Sequence, residues 1–185
     1  MEIEIPFPAH RAGIVLLAAA LAFGGVACKS ERSRVTVQNE ETPSESHLLS
    51  TVQMNDSAAA RQLLSGFYGV ENNAWRWTSG KFSVSLPTPL LAQNGATVAL
   101  SFTVPDAIIQ KLQKIKVTAS VAGAALKSQE YDAAGPYVFS ADIPPGPQLK
   151  ADAITVDFTV DKTMQPPGDK RELAIVANSV SIAGK

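Results

Sequence analysis

From Lys81 onward, apolar and polar residues alternate with a period of two. In KFSVSL, Phe82, Val84 and Leu86 fall on one side and Lys81, Ser83 and Ser85 on the other. In ATVALSFTV, Val98, Leu100, Phe102 and Val104 alternate with Thr97, Ala99, Ser101 and Thr103. The same pattern recurs over Ile115–Val121, Tyr137–Ile143 and Ile154–Val160. Each run predicts a strand with one buried and one wet face, as in antiparallel sheets. The last segment, ELAIVANSVSI, departs from this: Leu173 to Ala177 are apolar on both sides, and alternation resumes at Val180 and Ile182. That predicts a bulge or phase break near Ala177–Asn178, with the first half buried on both faces.

Turn chemistry separates these runs: Pro87 with Pro89, Asn94-Gly95, Gly135-Pro136, Pro144-Pro145-Gly146-Pro147 and Pro166-Pro167-Gly168. Two short helices are expected. Asn55, Asp56 or Ser57 can cap one over Ala58–Leu64 with Gly66 ending it, and Pro105 can open another over about Asp106–Gln113, with Ile108, Ile109 and Leu112 on one face. The whole predicts an all-β chain: a single antiparallel β-sandwich of jelly-roll type with one or two short helices.

The N-terminal part reads differently. Ala12–Ala27 is an apolar run preceded by His10 and Arg11, and the chain's one cysteine, Cys28, follows at once. This is the layout of a secretory signal, and its 16 residues fall short of the roughly 20 needed to span a bilayer. Gly25, Val26 and Ala27 before Cys28 resemble the lipobox of bacterial lipoproteins, a resemblance that implies a lipid on Cys28 and the loss of residues 1–27. Lys29 to about Asn55 is rich in Ser, Glu, Thr, Asn and Gln, with Val35–Val37 a further short strand candidate. The expected division is a signal peptide over 1–27, a lipidated N-terminus and flexible tether over 28–55, and a sandwich over 56–185.

Composition narrows the chemistry. Of 16 basic and 17 acidic side chains, only Arg11, Glu2 and Glu4 lie in the leader, so the remainder is formally neutral and nothing favours nucleic acid. One cysteine permits no internal disulfide. The two histidines, His10 and His47, fall in the leader and the tether, which removes most histidine-based catalysis and the usual zinc sites from the sandwich. Neither an enzyme nor a cofactor or metal is expected.

Two longer stretches carry a second resemblance: GFYGVENNAWRWTSGKFSVSLP (Gly66–Pro87) and DFTVDKTMQPPGDKRELAIVANSVSI (Asp157–Ile182). With the Val104-Pro105-Asp106 step between them, they resemble a β-sandwich domain appended to bacterial glycosyltransferases and other cell-surface polysaccharide proteins. That group opens on an aromatic–Arg–Trp element and carries a Pro–Gly–Asp–x–Arg–Glu–Leu element before its last strand. The resemblance spans nearly all of 66–185 and implies a sandwich that works at polysaccharide.

Trp75, Arg76 and Trp77 are the first candidate group. Sugars offer C–H faces that stack on indole rings and hydroxyls that need planar polar partners. At strand period the two tryptophans share one face and Arg76 takes the other. The same residues also suit an aromatic strand that closes the core. Asp169, Arg171 and Glu172 form the second group, either a polar rim for a ligand or an internal salt bridge, with Asp169 or Glu172 holding Arg76 and so joining the first strand to the last. Glu71, Asn72 and Asn73 either add polar contacts beside Trp75 or form a turn.

The expected protein is a membrane-anchored lipoprotein of the bacterial envelope, in the outer membrane or on the periplasmic face of the inner one, whose non-catalytic sandwich binds carbohydrate. A structural or protein-docking lipoprotein is the alternative, with an envelope protein as partner.

Overall fold

Strict alternation yields strict alternation of burial. The computed structural model describes residues 47–185. In it Ala96, Val98, Leu100, Phe102 and Val104 are all buried along one strand, with half-buried Thr, Ala and Ser between them. The strands in chain order are β1 (Thr51–Gln53), β2 (Leu63–Glu71), β3 (Trp75–Pro87), β4 (Ala96–Val104), β5 (Ile115–Val121), β6 (Ala124–Tyr131), β7 (Gly135–Ile143), β8 (Ala153–Val160) and β9 (Val176–Gly184). A helix α1 (Asp106–Leu112) joins β4 to β5. The leader, Cys28 and the Val35–Val37 run lie outside the described residues.

All the strand pairs are antiparallel, in the order β6-β5-β8-β3-β9-β4-β7, with β1 on β9 and β2 on β3. The thirteen-residue β3 serves both layers. Its Lys81–Pro87 half pairs with β8, and Arg76 and Trp77 pair with Ala177 and Val176 of β9. Rings meet across the layers: Phe139 of β7 lies 6.4 Å from Phe158 of β8, and Phe102 of β4 lies 5.1 Å from Tyr131 of β6. The result is the expected antiparallel β-sandwich, its core filled by the residues of the period-two pattern.

The phase break expected near Ala177–Asn178 is present. Ser101 pairs with Ser179 but Phe102 pairs with Ala177, so Asn178 is the extra residue of a bulge, and Leu173 to Ala177 are all buried. Helix α1 also forms, with Pro105 as its N-cap rather than its first helical residue and Gln113, at φ 65° and ψ −48°, ending it in a γ-turn closed by Lys114 N–H on the Leu112 carbonyl.

Three expectations need correction. The helix over Ala58–Leu64 is instead a short 3-10 helix, Ala58–Gln62. The Gln62 side chain is buried and its amide is bound to the Leu49 backbone and the Ser85 carbonyl, so the sheet captures the chain at Leu63 before an α-helix can form. Gly66 lies inside β2, not at a helix end. At φ +75° it lets β2 press onto β3, where a Cβ would collide with the Lys81 carbonyl and sit 2.7 Å from Phe82 Cα. The boundary at residue 55 also moves: Thr51–Gln53 is a strand on β9, and Val52 and Met54 are fully buried. Strand β6 had no expectation at all, because most of its residues face water on both sides and leave no alternation to read.

Candidate functional site

A hairpin and a loop build the site. Between β2 and β3, Asn72 and Asn73 both adopt positive φ (51° and 52°), a conformation Asn tolerates better than most residues, and Ala74 N–H donates to the Glu71 carbonyl. These asparagines therefore form the turn, and the turn sets Glu71 directly opposite Trp75. The loop after β8 is closed at its base by Met164 and Leu173, whose backbones exchange hydrogen bonds of 2.9 and 2.8 Å. Its tip, Pro166-Pro167-Gly168-Asp169, is a type II turn, with Gly168 at φ +80° and Asp169 N–H donating to the Pro166 carbonyl.

Trp75 and Trp77 share one face, as strand period requires. Their rings lie edge to face, 6.2 Å apart at 85°. Both are half-buried, and Trp77 packs against the core while Trp75 stands next to the turn. Trp77 thus fits the core-closing reading, while Trp75, equally half-buried, is not among the side chains packed on the core. Arg76 turns to the main chain. Its Nε donates to the Met54 carbonyl (2.8 Å) and its Nη1 to the Tyr68 carbonyl (2.9 Å), tying β1 to the hairpin.

The internal ion pair exists, but Arg171 makes it, not Arg76. The Arg171 Nε and Nη2 donate to the Asp169 carboxylate at 2.7–3.1 Å, and Nη1 donates to Glu71 Oε1 at 2.8 Å. The guanidinium also lies 5.3 Å from the centre of the Tyr68 ring, and Tyr68 Oη donates to the Glu172 carbonyl. One cation therefore fixes the loop to β2, beside the tryptophans. The hydrogen bonds from Arg171 hold the Asp169 carboxyl below the ordinary range, and Asp169 followed by Glu71 push Arg171 higher still, so both stay charged near neutral pH. Glu172 joins the cluster by its backbone only. Glu172 also borders a cleft of about 400 Å³ with Lys81 and Asp161.

The structure thus brings Trp75, Trp77, Asp169 and Arg171 to one edge of the sandwich, where Glu172 contributes its carbonyl and the Arg76 guanidinium is taken up by main-chain carbonyls. Tyr68 was missed. The sequence signal was its place in an aromatic pair, Phe67-Tyr68, one facing the core and one outward. Chemically, the edge presents ring surface rimmed by carboxylate oxygens with lone pairs to spare. Such a surface suits ligands rich in C–H faces and hydroxyl donors. Among the described residues no group of three His, Cys, Asp or Glu is placed to hold a metal ion. A second cleft of about 400 Å³ lies at the opposite end, between the β3–β4 and β7–β8 loops.

No family model matches the chain, and no curated protein matches it. Among solved structures it is similar to the CBM36-1 domain of a multidomain xylanase from the hindgut metagenome of Trinervitermes trinervoides, at 12% identity and a TM-score of 0.41, over 73% of this chain and 96% of that one. It is also similar to an acetyl xylan esterase from the rumen bacterium Butyrivibrio proteoclasticus, at 11% identity and a TM-score of 0.44, over 75% of this chain and 33% of the esterase. A carbohydrate-binding module CBM36 in complex with calcium and xylotriose shows 10% identity and a TM-score of 0.40, over 73% of this chain and all of that one. Likeness at this level is loose and concerns the sheet architecture alone.

Proposed function

We propose that this chain is a lipid-anchored envelope protein whose sandwich binds carbohydrate at the Trp75 edge. The observation that carries the binding role is the arrangement itself. An indole stands beside a rigid hairpin turn, backed by a second indole and rimmed by carboxylates that an arginine holds in place. A surface of fixed rings and fixed acceptors loses little freedom when a sugar docks. The acyl anchor rests on the Ala12–Cys28 sequence.

The two tryptophans are the only ones in the chain, so selectively excited tryptophan emission reports on these two rings. The test is a titration of the purified protein with a panel of bacterial polysaccharides. Saturable quenching or a spectral shift, lost in Trp75→Ala with the circular dichroism unchanged, supports the reading. Emission that no glycan alters, with no retardation in gels containing the same glycans, overturns it.

A further inference from the structure

The opposite end of the sandwich carries the most exposed large apolar side chains of the described residues. Leu90 is 99% exposed and Leu91 74%. They stand on the β3–β4 loop, Thr88–Gly95, which contains no charged residue. The loop is not loose. Thr88 N–H donates to the Asp152 carbonyl, Lys185 N–H donates to the Gly95 carbonyl, and Gly184 lies against the Leu91 carbonyl. Two leucines are therefore held out in water by a pinned backbone, beside a cleft whose rim includes Pro147, Leu149 and Lys150.

The N-terminal segment enters the domain at this same end. Ser50 accepts a hydrogen bond from Ile182 N–H, and Ile182 is two residues from Gly184. That is about 7 Å along β9. The eighteen residues between Cys28 and His47 reach at most about 60 Å when fully extended. The Trp75 hairpin lies at the other end of β3, about 40 Å of strand away.

From this placement we infer that the Leu90–Leu91 tip inserts into a lipid bilayer and seats the sandwich end-on, with the Trp75 edge pointing away from the membrane. The inference rests on the anchored reading above for its membrane, and on the loop for its contact. Apolar tips enter the headgroup boundary because burial of leucine side chains drives partition, and a second attachment converts a single-point tether into an oriented one.

The test places an environment-sensitive fluorophore on Gln93→Cys of the full protein, prepared from bacterial membranes and reconstituted in phosphatidylethanolamine vesicles containing phosphatidylglycerol. A control carries the label on Ala133→Cys, beyond β6. Mass spectrometry of the N-terminus reads acylation of Cys28 separately. The expected result is a blue-shifted Gln93 label quenched by nitroxides on the acyl chains, an unquenched Ala133 label, and a loss of at least about tenfold in tip partition for Leu90→Ser/Leu91→Ser. A Gln93 label that stays in water on acylated protein overturns the inference and leaves the anchor standing. A blue shift that follows protein concentration without lipid seats a second copy on the tip and also overturns it. Without acylation, the labels are placed on Cys28→Ser protein so that only residue 93 or 133 carries the fluorophore; quenching by added vesicles then upholds the tip while the anchor fails, and no quenching overturns both.

Discussion

Gly66→Ala tests how β2 is fitted to β3. A Cβ at residue 66 meets the Lys81 carbonyl and comes within 2.7 Å of both Phe82 Cα and Phe82 Cβ, where comfortable carbon contacts lie near 3.5–4.0 Å. Backbone faces it on the partner strand, so no flexible side chain can swing away; β2 must retreat by about 1 Å. Alanine at φ +75° costs about 1–2 kcal/mol, and overpacking of this kind about 1–3 kcal/mol more. The expected loss is about 2–5 kcal/mol, a large part of the 5–15 kcal/mol typical of a domain. With a urea slope of about 2 kcal/mol/M, the midpoint falls by about 1 M or more. Gly69→Ala is the matched control, since nothing lies within 4 Å of its Cβ position, and it should be neutral or slightly stabilising. Urea titrations followed by circular dichroism compare the two. Equal midpoints for the two variants would refute the close-approach argument.

Three further outcomes follow from the same geometry. Tyr131→Phe should be neutral or stabilising by about 1 kcal/mol, because the buried Tyr131 hydroxyl has no hydrogen-bond partner among the described residues. Burial pushes that phenol up to about 12. Wild-type stability should therefore fall as pH rises past the unfolded tyrosine value near 10, where only the unfolded chain ionises, and Tyr131→Phe should lack that part of the fall in alkaline urea titrations. Arg171→Gln should destabilise at neutral pH and redden the tryptophan emission. The lowered Asp169 pKa contributes stability above the unfolded carboxyl value that disappears as pH falls through the folded one, so the gap from wild type should narrow in acid. Trp77→Ala should cost stability because Trp77 packs on the core, whereas Trp75→Ala should leave the urea midpoint nearly unchanged and remove glycan binding; the reverse pattern would reassign the two rings.

Strands with one face in the core were legible because burial imposes a period of two on their residues. The same logic exposed the bulge at Asn178, where burial on both faces gives way to alternation. It failed for β6, which has little to bury, and for β2, whose Leu63-Leu64 start resembles a helix end until the Gln62 side chain binds Ser85. The Trp75–Trp77 and Asp169–Glu172 groups stood out by residue type, but their link did not. Glu71 and Arg171 are 100 residues apart in sequence, and only the pairing of β2 with β3 and the Met164–Leu173 clasp bring them together. Assigning the ion pair to Arg76 failed for a related reason: carbonyls of Met54 and Tyr68 consume that guanidinium, and backbone acceptors leave no trace in a sequence.

Strand β1 has a mechanical consequence. It is three residues long, runs antiparallel to β9, and is the first strand among the described residues. A pull on Ser50 against a load at the Trp75 hairpin acts along the strand axes. The bonds that flank and hold β1, from Ile182 N–H to Ser50 at one end and from Met54 N–H to Asn178 at the other, are then sheared together instead of being peeled one by one. With Val52 and Met54 plugged into the core and Arg76 gripping the Met54 carbonyl, a segment that looks like a loose lead is the part of the fold arranged to bear tension.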